Sequence, residues 1–137
     1  ETGRIEIDRF LAVDDSGLIL NPLLYAGQIH GGIVQGLGQT LMEDHIYDPE
    51  SGQLLTGSFP DYAMPRADDL PDFTLDHHDV ACATNPLGVK GGGESGTVGA
   101  LPVMVNAVVD ALADYGVRDL RMPMTPLRVW QAIHAGG

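Results

Sequence analysis

A single carboxylate, Glu94, follows three consecutive glycines, Gly91 to Gly93, with Lys90 directly before them. Glycine gives up more backbone freedom on folding than any other residue, so a run of it beside one acid points to close backbone approach or an unusual turn. One reading makes Glu94 a general base. Backbone without side chains would carry the carboxylate into a pocket, glycine N–H groups would meet a polar or anionic ligand beside it, and Lys90 would serve as counter-charge or donor. The other reading makes Glu94 a carboxylate near a helix N-terminus, favoured by the helix dipole by about 0.3–1 kcal/mol. Spacing alone leaves both open. Gln35 is the second candidate. It sits among Gly31, Gly32, Gly36 and Gly38, one helical turn before Gln39 and two turns after Gln28. Either these glutamines face solvent on an amphipathic helix, or the glycines let that helix press against a polar ligand to which Gln35 donates. The five histidines lack metal-ligand spacing. His77 and His78 are adjacent in an expected strand and point to opposite faces. No residue is assigned as a metal ligand.

The elements that must position these groups follow from periodicity. Arg4 to Asp15 alternates and then turns apolar, which reads as a strand, with Asp14-Asp15-Ser16-Gly17 as turn chemistry. Leu18 to Pro22 reads as a short extended piece stopped by the proline. Ala26 to Asp48 carries Ile29, Ile33, Leu37 and Leu41 at helical spacing. Each interior glycine there costs about 1 kcal/mol relative to alanine, so these glycines need a reason, most simply packing against another backbone or a ligand. Asp48 to Leu54 reads as a hairpin-like turn, Ser58 to Pro71 as loop, Phe73 to Val80 as a strand, and Cys82 to Ser95 as a glycine-rich loop. Thr97 to Tyr115 reads as a helix capped by Ser95 or Thr97 and stopped at Gly116. Thr125 and Pro126 open a last short helix. The expected fold class is α+β, helices packed on a small sheet. Few strands serve many loops, which hints that a sheet or a site is completed by further sequence.

Composition bounds the rest. A chain of 137 residues with 44% apolar content suits one domain, residues 1–137, with a real core. Its 19 acids against 7 bases give a formal charge of −12, which argues against nucleic acid and against an anionic membrane as partner. Cys82 is the only cysteine, which fits a reducing compartment. No transmembrane-length apolar run or signal peptide is visible. The first residue is Glu1 in a polar Glu-Thr-Gly sequence, and the expectation is a piece of something longer.

Two segments taken together are specific. "GQIHGGIVQGLGQTLMED", Gly27 to Asp44, and "NPLGVKGGGESGTVGALPVMVNAVVDAL", Asn85 to Leu112, resemble the molybdenum hydroxylases. The similarity is to the C-terminal end of the molybdopterin-binding large subunit of the xanthine dehydrogenase, aldehyde oxidase and aerobic carbon monoxide dehydrogenase family. "AVDDSGLILNP" and "SFPDYAMPRADDLPDF" match the same stretch in order. The resemblance implies a fragment of a larger mixed α/β molybdopterin-binding domain. It implies Glu94, the acid of a K-G-x-G-E segment, as the active-site base at the molybdenum centre, with Lys90, Gly92 and Gly93 in the same loop. It places Gln35, from a G-G-x-x-Q-G segment, beside the molybdenum oxo group.

The implied cofactor is molybdenum–molybdopterin, in the cytosine dinucleotide form if bacterial. Iron–sulfur clusters and FAD are expected on partner domains or subunits. The implied partners are the upstream half of the large subunit and the iron–sulfur and flavin subunits, in the cytoplasm. The implied substrate is a small carbonyl, heteroaromatic compound or carbon monoxide. Two features depart from the family. Gly92 stands where Val or Ala is common, and the family's G-G-F-G segment and other pterin contacts lie upstream of these residues, so the chain alone is expected to be inactive. The alternative is a stand-alone or split-gene remnant acting as a non-catalytic binding or assembly module.

Overall fold

The computed structural model describes residues 1–135. In chain order it holds β1 (Phe10–Asp14), α1 (Pro22–Leu41), β2 (Phe73–His77), α2 (Ser95–Ala111) and α3 (Pro126–Ala135), with short 3-10 turns at Ala67–Asp69 and Ala113–Tyr115. This is the expected α+β arrangement, and its dominant feature is the packing of two long helices, α1 and α2, against each other beside a two-stranded parallel sheet.

The helix pair explains the glycines of α1. Ile29, Ile33 and Leu37, spaced four apart, are 1%, 0% and 0% exposed and meet Ala100, Met104 and Val108 of α2 in one core. Burial of each large aliphatic side chain contributes about 1.5–3 kcal/mol. Such depth requires small residues where the backbones cross. A Cβ on Gly96 would stand 2.6 Å from Ile29 O and 2.9 Å from Ile33 N, and one on Gly36 would stand 2.7 Å from the Ala100 Cβ. Gly32 faces Thr97 N in the same way, at 3.0 Å. Close backbone packing is therefore the reason for Gly32 and Gly36, while Gly27 and Gly31 have nothing within 4 Å.

Several boundaries differ from the sequence reading. Pro22 does not stop an extended piece; it opens α1, where its missing N–H costs nothing, and Asn21 Oδ1 caps the turn by accepting from Leu24 N at 3.1 Å. α1 also ends earlier, at Leu41, where Met42 N and Glu43 N both turn back to Gly38 O. α2 starts at Ser95, so Glu94 and not Ser95 or Thr97 holds the N-cap position. α2 ends at Ala111 and not at Tyr115, and Gly116, at φ 78°, ends the 3-10 turn Ala113–Tyr115 that follows it. The opening alternation forms a strand only from Phe10. Ile5 and Ile7 lie partly buried against the core instead.

β1 and β2 pair in parallel from Phe10↔Phe73 to Asp14↔His77. Phe10 and Phe73 meet edge to face with centroids 5.6 Å apart, and with Ala12 and Leu75 they turn toward the helices. β2 stops at His77 and not at Val80: His78 N makes the last backbone bond to β1, at Asp14 O, and Val80 N goes instead to the Asp15 carboxylate. α3 docks through Val129, and Thr125 Oγ1 accepts from Arg128 N at 3.4 Å. The turn at Asp48 to Leu54 closes through a Tyr47↔Leu54 bridge.

Candidate functional site

The segment that delivers Glu94 is built from its start. Gly88 takes the turn at φ +68°, and none of Gly91 to Gly93 has a positive φ. The unusual backbone geometry expected at the glycine triplet therefore falls on Gly88. Asn85 braces the turn, donating to Val89 O at 2.8 Å and accepting from Val89 N at 3.2 Å. Val89 then bridges Gly17, flanked by Lys90 N→Ser16 O at 2.9 Å and Leu18 N→Gly88 O at 3.0 Å. Lys90 Nζ donates to Asp15 Oδ2, and Asp15 Oδ1 accepts from Gly17 N at 2.9 Å and Val80 N at 3.1 Å. The Lys90 ammonium, with the Gly17 and Val80 amides behind it, lowers the Asp15 carboxyl to about 2.

Each glycine of the triplet has its own circumstance. A Cβ on Gly92 would stand 2.7 Å from Ser16 Oγ and 2.9 Å from the Tyr25 ring, and that serine hydroxyl donates to Tyr25 Oη at 3.0 Å. Gly92, the middle glycine, is thus a packing position held against the body of the chain. Gly91 and Gly93 have nothing within 4 Å. Gln28 Nε2 donates to Gly93 O at 2.8 Å, tying α1 to the residue before Glu94.

Glu94 itself is exposed, and its carboxylate caps none of the first-turn N–H groups of α2. It stands where the helix dipole favours a carboxylate, without a capping hydrogen bond to hold it there. One turn on, Thr97 Oγ1 donates to Gly32 O at 3.1 Å and lies 3.4 Å from Gln35 Oε1. The structure therefore ties Gly93 to Gln28 and brings Gln35 to Thr97, one turn into α2 from Glu94, and it turns Lys90 to Asp15. Gly27, Gly31 and Gln35 lie four residues apart on one face of α1, beside Gln28. An exposed acid, two amide side chains, uncapped helix amides and four open glycines make a surface where a polar, anionic group can approach backbone closely.

Asp15, Ser16, Tyr25, Gln28 and Thr97 were not singled out by sequence reasoning as site residues. The Asp-Asp-Ser-Gly stretch carries an ordinary turn signature, and these contacts reach up to 75 residues along the chain. The larger grooves lie elsewhere. One runs between Thr2–Leu11 and the C-terminal half of α2, another beside Phe59–Arg66, and Glu94 lines neither. His77 pairs with Asp79 at 2.8 Å.

Residues 1–71 match the family described as molybdopterin cofactor-binding domain. The chain is 39% identical over 132 residues to the carbon monoxide dehydrogenase large chain of Hydrogenophaga pseudoflava, covering 96% of this chain and 16% of that protein. It is 41% identical over 131 residues to the nicotine 6-hydroxylase large subunit of Paenarthrobacter nicotinovorans, again 96% of this chain and 16% of the relative. Among solved structures, reconstituted carbon monoxide dehydrogenase from Oligotropha carboxidovorans superposes with a TM-score of 0.94 at 35% identity, covering 99% of this chain and 17% of that one. The chain thus spans about one sixth of the length of these relatives.

Proposed function

The chain belongs to the molybdopterin-binding large-subunit family of the molybdenum hydroxylases, and from that premise we propose that residues 1–137 form the C-terminal segment of such a domain and carry its active-site base, Glu94. The observation that carries this reading is a carboxylate at the start of α2 that caps no amide of its own helix, in a segment tethered to α1 by Gln28.

The residues present fit the molybdenum cofactor. Gly91, Gly93, Gly27 and Gly31 leave room for a close approach, and the uncapped amides of α2 suit an anionic group. Gln35 and Gly93 would contact the cofactor directly. Gly92 and Lys90 would hold the loop from behind, Lys90 through Asp15. When bound, the cofactor supplies the redox chemistry, taking two electrons from the substrate as water-derived oxygen enters it. The work of this chain is proton transfer and placement. Glu94 accepts the proton that the oxygen nucleophile must lose, and Gln35 offers an amide N–H to a polar atom beside it. We assign the cofactor the cytosine dinucleotide form if the source is bacterial, and place iron–sulfur clusters and FAD on partner domains or subunits in a cytoplasmic assembly. The substrate class is a small carbonyl, heteroaromatic compound or carbon monoxide. The upstream part of the large subunit would complete the pocket.

The test is Glu94→Gln in the complete enzyme, followed by reductive half-reaction kinetics and molybdenum analysis. Removing a positioned base costs about 10²–10⁴-fold in turnover, and we expect molybdenum content to hold because a base would stand beside the metal and not among its ligands. Reduction at the wild-type rate would overturn the reading. Activity lost only in step with molybdenum would make Glu94 structural and favour a binding or assembly role for the segment.

A further inference from the structure

We propose that Asp15 is a positioning residue for Glu94, fixing the base-bearing segment to the sheet through Lys90. The proposal rests on the reading of Glu94 as the base. The geometry is specific. Asp15 stands just past the end of β1 and uses both carboxylate oxygens. One contact, to Gly17 N, is an ordinary turn within its own segment. The other two are not local: Val80 N lies 65 residues away, just past β2, and Lys90 Nζ lies 75 residues away. A single side chain therefore joins the ends of both strands to the loop that leads to Glu94.

The loop needs such an anchor. Between Lys90 and Glu94 stand only glycines, and two of them, Gly91 and Gly93, place nothing in contact range of a side chain. Side-chain packing cannot hold that stretch, so its position is set at its ends and at Gly92. Gln28 fixes Gly93 from α1. Ser16 O and Asp15 fix the backbone and the ammonium of Lys90. Loss of Asp15 leaves Lys90 tied through its backbone N–H alone, and the three glycines between it and the carboxylate are then held only by the packing of Gly92 and the Gln28 bond to Gly93.

The test compares Asp15→Ala and Asp15→Asn in the complete enzyme. Asparagine keeps an oxygen for the Gly17 and Val80 amides but loses the charge that holds Lys90. Misplacing a reacting group by about 1 Å can cost about 100-fold. We therefore expect Asp15→Ala to lower kcat about 10- to 100-fold with KM and molybdenum content unchanged, and Asp15→Asn to fall between it and wild type. Amide hydrogen exchange across residues 88–94 should quicken in the same order. Adding Lys90→Met to Asp15→Ala should cost nothing further, because both act through one contact. If Asp15→Ala does not accumulate as folded enzyme, Asp15→Asn carries the test: reduced kcat with faster exchange supports the anchor, and wild-type values for both overturn it. A loss of kcat matched by loss of molybdenum also overturns it. Glu94→Gln serves as the control. If that variant is inactive while Asp15→Ala behaves as wild type, only the anchor fails. If Glu94→Gln turns over normally, the site reading fails, and with it any catalytic consequence of Asp15.

Discussion

Asp15 and Gln35 show how unequal two residues of one site can be. The Asp15 carboxyl sits at about 2 against an ordinary 3.8, because the Lys90 ammonium and two backbone amides donate to its charged form. A carboxyl lowered on folding stabilises the native state once it is ionised in the unfolded chain, and that contribution disappears as the pH falls through the folded value. We therefore expect wild type to exceed Asp15→Asn in thermal midpoint at neutral pH, with the gap closing between about pH 4 and pH 2. A gap that persisted unchanged at pH 2 would show that the aspartate acts through shape and not through charge. Gln35 offers hydrogen bonding without charge. A single such bond contributes about 0.5–1.5 kcal/mol, so Gln35→Ala should slow the reductive half-reaction by no more than about tenfold, well short of the loss at Glu94. A deficit at Gln35 equal to that at Glu94 would place the amide at the reacting atoms.

The helix pair divides its glycines into two kinds, and substitutions should separate them. Gly96 has backbone atoms of α1 within 3 Å of where a Cβ would stand, so Gly96→Ala must push the helices apart. Overpacking of this kind costs about 1–3 kcal/mol. Gly31 has open space, so Gly31→Ala should gain about 1 kcal/mol of helix propensity. In the complete enzyme the same Gly31→Ala should lower molybdenum content if that face meets the cofactor. A variant that is more stable and fully loaded would show that Gly31 faces solvent. Denaturant unfolding of the chain and metal analysis of the enzyme make the two measurements.

The α2 register and the last helix were legible in the sequence because period, Gly116, Thr125 and Pro126 all agree with what forms. The start of α1 was not, since a proline after an asparagine reads equally as a stop and as a cap. Glu94 stood out through its glycines, whereas Asp15 did not. Its turn chemistry is satisfied locally, and no local pattern records a partner 75 residues away.

At the scale of the molecule, the sheet is the feature least able to stand alone. Parallel sheets are ordinarily covered on both faces. Here only the face carrying Phe10, Ala12, Phe73 and Leu75 turns to the helices. The outer face leaves Leu11 67% and Val13 58% exposed, level with Thr74 and Asp76 in the register. Around the entry to α1, Leu18, Leu20, Leu23 and Leu24 are exposed as well. Exposed apolar side chains in this number mark an interface where they adjoin, and relatives six times as long have ample chain to cover them. The net charge of −12 works against any alternative partner of like sign, and binding to duplex DNA should be undetectable at physiological salt. We expect the isolated chain to self-associate and to bind a hydrophobic dye. Both properties should fall when the remaining portion of a large subunit is supplied with it. Light scattering and dye fluorescence, with and without that portion, make the comparison. A clean monomer that takes up no dye would show that these side chains need no cover, and the case for a missing protein layer over the sheet would fall with it.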